Sequence, residues 1–82
     1  MEQFTQTKEV IIVKIDPKNS QTSRPYYKFL YTKYEYASGE VSESCHKFAE
    51  FRTRGMRCWH YDSFENWKAA VNKAKKQFAE FN

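Results

Sequence analysis

Glycine and proline are scarce in this chain, two of each among 82 residues, which excludes collagen-like and low-complexity disordered readings. Cysteine is equally scarce: two residues cannot build the disulfide scaffold of a small secreted domain. No apolar run approaches the roughly 20 residues that a membrane helix needs. The longest, Val10-Ile11-Ile12-Val13, has the length of a strand. The start, Met1-Glu2-Gln3-Phe4-Thr5, lacks the basic residues and apolar stretch of a signal peptide. A cytoplasmic protein without membrane attachment is therefore expected. Acid is also in deficit, with 10 Asp and Glu against 14 Lys and Arg, a net charge of +4. That sign argues against an acidic mimic of DNA and favours anionic partners.

What the chain has in quantity is aromatic surface, 18% of its residues, including six Tyr and seven Phe. One domain over residues 1–82 is expected at this length, near the size where burial is only about 60% of the unfolded surface. Residues 1–7 are polar and read as frayed. Lys8 to Ile15 is β-branched and reads as a buried strand, stopped by Asp16-Pro17. Residues 16–25 form a loop bounded by two prolines. Tyr26 to Tyr36, Val41 to Phe51 and Met56 to Tyr61 read as three further strands, separated by turns at Ser38-Gly39 and at 52–55. The period then changes from 2 to 3.6. Phe64, Trp67, Val71, Ala74, Phe78 and Phe81 share one helical face, with Asp62 or Ser63 as the cap. The expected fold is α+β: a four-stranded antiparallel sheet, β-β-β-β-α, with the C-terminal amphipathic helix on one face.

Counting outward from a two-residue first turn and a four-residue second turn pairs Phe29 with Phe48 and Phe48 with Trp59. Alternation then gives two faces. One carries Leu30, Thr32, Cys45, Ala49 and Cys58, small enough at its centre to lie beneath Trp67. It is the expected core. The other presents Phe29, Phe48 and Trp59 abreast, with Tyr31, His46 and Tyr61 behind them and Lys33 and Arg57 at the flanks. Contiguous aromatic surface of that size calls for a partner.

Two arrangements suit nucleic acid. Exposed aromatic rows stack bases while cations follow phosphates. The hairpin Arg52, Arg54, Arg57 lies in a stretch from Phe51 to Tyr61 without any acid, and guanidinium forks bind phosphate in bidentate fashion. A cross-strand pair of Glu50 with Arg57 would weaken the latter's part. Lys68, Lys73, Lys75 and Lys76 on the helix read as a solvated face. The expected nucleic-acid-binding residues are thus Phe29, Tyr31, Lys33, Phe48, Arg52, Arg54, Arg57, Trp59 and Tyr61, with single strands favoured. Cys45, His46, Cys58 and His60 have no Cys-x-x-Cys or His-x3–5-His spacing. The expected register puts His46 on the face opposite Cys58 and His60, so no metal site is expected. No phosphate-binding glycine loop and no carboxylate pairing suited to acid–base work can be read, so the expectation is a non-enzyme without cofactor.

The strand-strand-strand-strand-helix order over residues 8–81 is similar in topology to the Whirly and PUR groups of single-stranded DNA binders, which implies nucleic-acid binding. In its compact size the chain resembles phage or mobile-element accessory proteins. That leaves a second expectation, a protein-interaction module such as an inhibitor docking on a host protein or a protein–nucleic-acid complex. The aromatic patch would be its hot spot, or would join two copies in a homodimer.

Overall fold

In the computed structural model, which describes residues 3–82, four strands form one antiparallel sheet in the order β1-β2-β3-β4. These are β1 (Phe4–Lys14), β2 (Tyr26–Tyr36), β3 (Val41–Phe51) and β4 (Gly55–His60). The helix α1 (Phe64–Gln77) packs across one face, touching β1 and β3, and a 3-10 turn (Ala79–Phe81) follows it. The fold is α+β, as the periodicities require. β1 begins earlier than expected: residues 4–7 pair with 33–36 and are not frayed, whereas residues 1 and 2 lie outside the described residues.

Both turns differ by one residue from the expected lengths. Ala37-Ser38-Gly39 makes a three-residue connection in which the Gly39 N–H donates to the Tyr36 carbonyl at 2.9 Å. Gly39 sits at φ +93°, a conformation glycine adopts without the penalty of a Cβ. Phe51 pairs with Gly55, so the second connection is also three residues long. Lys28 accordingly stands opposite Phe48, and Phe48 opposite Cys58. Each slip moves the next strand by one position and exchanges its faces relative to the strand before it. Two slips cancel between β2 and β4, so only β3 changes sides relative to them.

The helix covers the face of odd-numbered residues. Val13, Phe29, Tyr31, Cys45, Trp67, Val71 and Ala74 form one buried cluster, flanked by Ile11, Tyr27, Tyr61, Ala70 and Phe78. The small middle expected beneath Trp67 is thus half realised: Cys45 and Ala49 are buried, while Leu30, Thr32 and Cys58 belong to the other face. Phe29 and Trp67 meet edge to face at 6.4 Å between centroids. A pair of this kind adds about 0.5–1.5 kcal/mol to its area burial. The Trp67 indole N–H donates to the His46 carbonyl at 2.9 Å. The Tyr31 hydroxyl donates to Glu43 Oε2 at 2.5 Å. Burial, and then that bond, pushes the Tyr31 hydroxyl up to about 12.

Ser63 starts the helix. Its hydroxyl accepts from the Asn66 N–H at 3.1 Å, and Glu65 in the first turn and Lys75 and Lys76 in the last complement the macrodipole. At the far end Asn82 reaches β1: its side chain accepts from Lys14 N–H and donates to Lys14 O, both at 2.9 Å.

Candidate nucleic-acid interface

The loop between β1 and β2 builds one wall of a groove. Asp16 and Asn19 turn it by accepting from the backbone N–H two residues on, at 2.9 and 2.8 Å. Thr22, itself buried, then bridges to Phe51. Ser23 N–H donates to Glu50 O at 3.0 Å, and Arg52 N–H to Gln21 O at 3.1 Å. The loop is therefore stitched to the base of the β3–β4 hairpin. Between them lies an open groove of about 660 Å³, lined by Ser20 and Gln21 on one side and by Phe51, Arg52, Thr53, Arg54, Arg57, Cys58 and Trp59 on the other.

Three arginines meet there without an acid. Glu50, expected to pair with Arg57, instead binds Arg24 Nε at 2.7 Å. Among the described residues the ion pairs join Arg24 to Glu50, Lys33 to Glu35 and Lys68 to Glu9, and none involves the groove arginines. Arg52 is partly fixed, because its Nε donates to Thr22 O at 3.1 Å. The aromatic side of the groove is Trp59, 37% exposed, with Phe51 at 6.2 Å between ring centroids. Lys47 extends over the Trp59 ring at 4.1 Å and over Tyr27 at 4.8 Å. Partial burial between these rings lowers its ammonium below the ordinary lysine value.

Of the nine residues singled out from the sequence, Arg52, Arg54, Arg57 and Trp59 line this groove. The remaining five do not join them. Phe29 and Tyr31 are core residues, 1% and 7% exposed, so the expected stacking role for them is corrected. Their odd-numbered positions face the helix once β3 takes its observed register. Phe48 stands half-buried on the opposite face, in line with Lys28 and Cys58. The row Phe29, Phe48, Trp59 therefore does not exist. Lys33 lies beyond the end of β4 and holds Glu35 at 3.1 Å. Tyr61 packs half-buried against the core, and burial raises its hydroxyl above the ordinary value. Sequence reasoning missed Lys47, Phe51, Ser20 and Gln21. The correct register would have placed Lys47 opposite Trp59, but nothing in the sequence ties the 16–25 loop to the hairpin.

The face without the helix has a different character. Val10, Ile12 and Met56 are exposed there, with Leu30 and Phe48 half-buried. Its cations include Lys8, Lys14 and Lys28, and its strand acid is Glu50, already held by Arg24. His46 and His60 face each other across β3 and β4, with Cys58 beside them. Burial, and next the neighbouring His60, lowers His46 below the ordinary imidazole value. No helix among the described residues is long and apolar enough to cross a membrane. No protein-family model, curated protein or solved structure matches the chain at a significant level.

Proposed function

We propose that this chain is a non-catalytic nucleic-acid-binding module that grips single strands at the hairpin groove. The observation that carries the reading is the convergence of Arg52, Arg54 and Arg57 on Trp59 in one groove, with Glu50 diverted to Arg24. Guanidinium forks would hold successive phosphates, and a base would stack on the Trp59 face that Lys47 leaves open. Stacking tolerates any base, so recognition of the strand rather than of its sequence is expected. The site is smaller than the nine-residue platform expected from the sequence, and Phe29 and Tyr31 support it only by forming the core.

The experiment is a fluorescence-anisotropy titration of labelled single-stranded and duplex oligonucleotides at low and physiological salt. Binding should weaken steeply with salt, and Arg54→Ala should reduce the salt slope by about one phosphate contact. No binding of the intact chain at either salt would overturn the proposal. The second reading, a protein partner or a second copy on the open sheet face, is favoured by Val10, Ile12, Leu30, Phe48 and Met56 on that side. Sedimentation of the chain alone, then with candidate partners, would test it.

A further inference from the structure

We propose that His46, Cys58 and His60 form a binding site for a divalent cation of the zinc type on the open sheet face. The register creates the cluster. His46 and His60 are direct cross-strand partners, and partners of this kind hold their Cβ atoms about 4.5–5.5 Å apart. Cys58 lies two residues before His60, so the pleat turns it to the same side. One ligand atom from each of the three residues lies within 4.8 Å of the others. Cys58 Sγ and His60 Nε2 are 3.9 Å apart, and the two imidazoles meet at 4.4 Å between centroids.

The donor set suits the cation. Zinc takes thiolate sulfur at about 2.3 Å and imidazole nitrogen at about 2.0–2.1 Å in a tetrahedron. Those lengths place neighbouring ligand atoms roughly 3.3–3.7 Å from one another. The widest separation in the cluster therefore closes by roughly 1–1.5 Å, within reach of side-chain rotation on an edge strand. Oxygen-seeking cations such as magnesium and calcium are poor matches for one sulfur and two nitrogens. Three protein ligands leave a fourth position for water. The fold itself makes little use of these side chains: Cys58 and His60 are exposed and His46 is half-buried, all on the side away from Trp67 and Val71. Cys58 also borders the arginine groove, but His46 and His60 do not line it, and the groove's arginine and tryptophan side chains lie at the hairpin turn or on the helix side of the sheet.

Cobalt(II) titration of the full-length reduced chain tests the proposal, because thiolate ligation gives a sulfur-to-cobalt charge-transfer band. One equivalent should saturate the band, and zinc should abolish it. Cys58→Ser should remove it. His46→Ala and His60→Ala should each weaken cobalt affinity by about tenfold or more, the scale on which even outer-shell losses act. Cys45→Ala, which removes the buried thiol of the other face, should leave the band intact. Circular dichroism of each variant checks that it is folded, and the exposed positions of Cys58 and His60 make those two variants safe in this respect. A wild-type chain without the band, or a band that survives Cys58→Ser, overturns the assignment.

Discussion

The two faces of the sheet carry comparable apolar material and have opposite fates. The odd-numbered face holds Val13, Phe29, Tyr31, Cys45 and Ala49 under the helix. The even-numbered face holds Val10, Ile12, Leu30, Phe48 and Met56 without a cover. Apolar content alone does not distinguish them. The difference lies in shape and in polar satisfaction. The covered side accepts Trp67 over the small Cys45 and Ala49, and it supplies Glu43 for the Tyr31 hydroxyl and the His46 carbonyl for the Trp67 indole. Among the described residues no buried side-chain polar atom is left without a hydrogen-bond partner, which matters because each such orphan costs about 1–3 kcal/mol. The open side offers histidines, a thiol and lysines instead, groups that serve better in water or against a ligand than in a core.

Substitutions sharpen this contrast in order of size. Trp67→Ala opens the covered side and should cost about 3–5 kcal/mol, read as a lower urea midpoint. If the loss were under about 1 kcal/mol, the helix would not be the lid that defines the core. Trp59→Ala, at the rim of the same side, should weaken single-strand binding by about 1–3 kcal/mol while the urea midpoint barely moves. Equal losses in both would place Trp59 in the core.

Alkaline pH separates the faces differently. The Tyr31 hydroxyl has an ordinary value near 10 and is held at about 12 in the fold. The folded state thus retains a proton that the unfolded state releases. The stability this supplies is complete below pH 10 and is lost as pH rises through about 12. Tyr31→Phe should flatten that part of the pH–stability curve, and an unchanged slope would show that the Glu43 bond does not couple to folding. Smallest of all, Met56→Ser on the open side should shift stability by about 0.5 kcal/mol or less. A larger loss, or a change in sedimentation, would reveal that this face is covered in solution.

Most of the elements were legible because their periods are strong. Val10 to Val13, the aromatic β2 segment and the Phe64–Phe81 stripe declare themselves with little ambiguity. Turn length was not. Ala37-Ser38-Gly39-Glu40 closes equally well as a two- or a three-residue connection, and Gly39 fits both because its positive φ is needed in either. One residue there decides whether Cys45 and Ala49 share a face with Phe29 and Tyr31. One residue at the second turn decides whether His46 joins Cys58 and His60 or stands opposite them. Because the second turn is one residue shorter than expected where the first is one longer, β2 and β4 kept their mutual alignment, and Trp59 stayed on the side of Phe29 and Tyr31. The arginine groove survived the error, since Arg52 and Arg54 sit in the turn itself, where the face rule has no hold. Its second wall was beyond reach: Thr22 joins Phe51 across a long sequence separation with only local polar residues to announce it.

Asn82 has an effect on β1 apart from anchoring the helix end. An edge strand offers unpaired backbone groups to any passing chain, which is a route to aggregation. At Lys14 those groups are already engaged by one carboxamide, which accepts and donates much as a neighbouring strand residue would. An incoming strand would have to displace that amide or begin pairing further along, where Lys8 places a charge on the strand. Asn82 thus acts as a stopper at one end of an otherwise extendable sheet, and its loss should show first as slow self-association at high concentration.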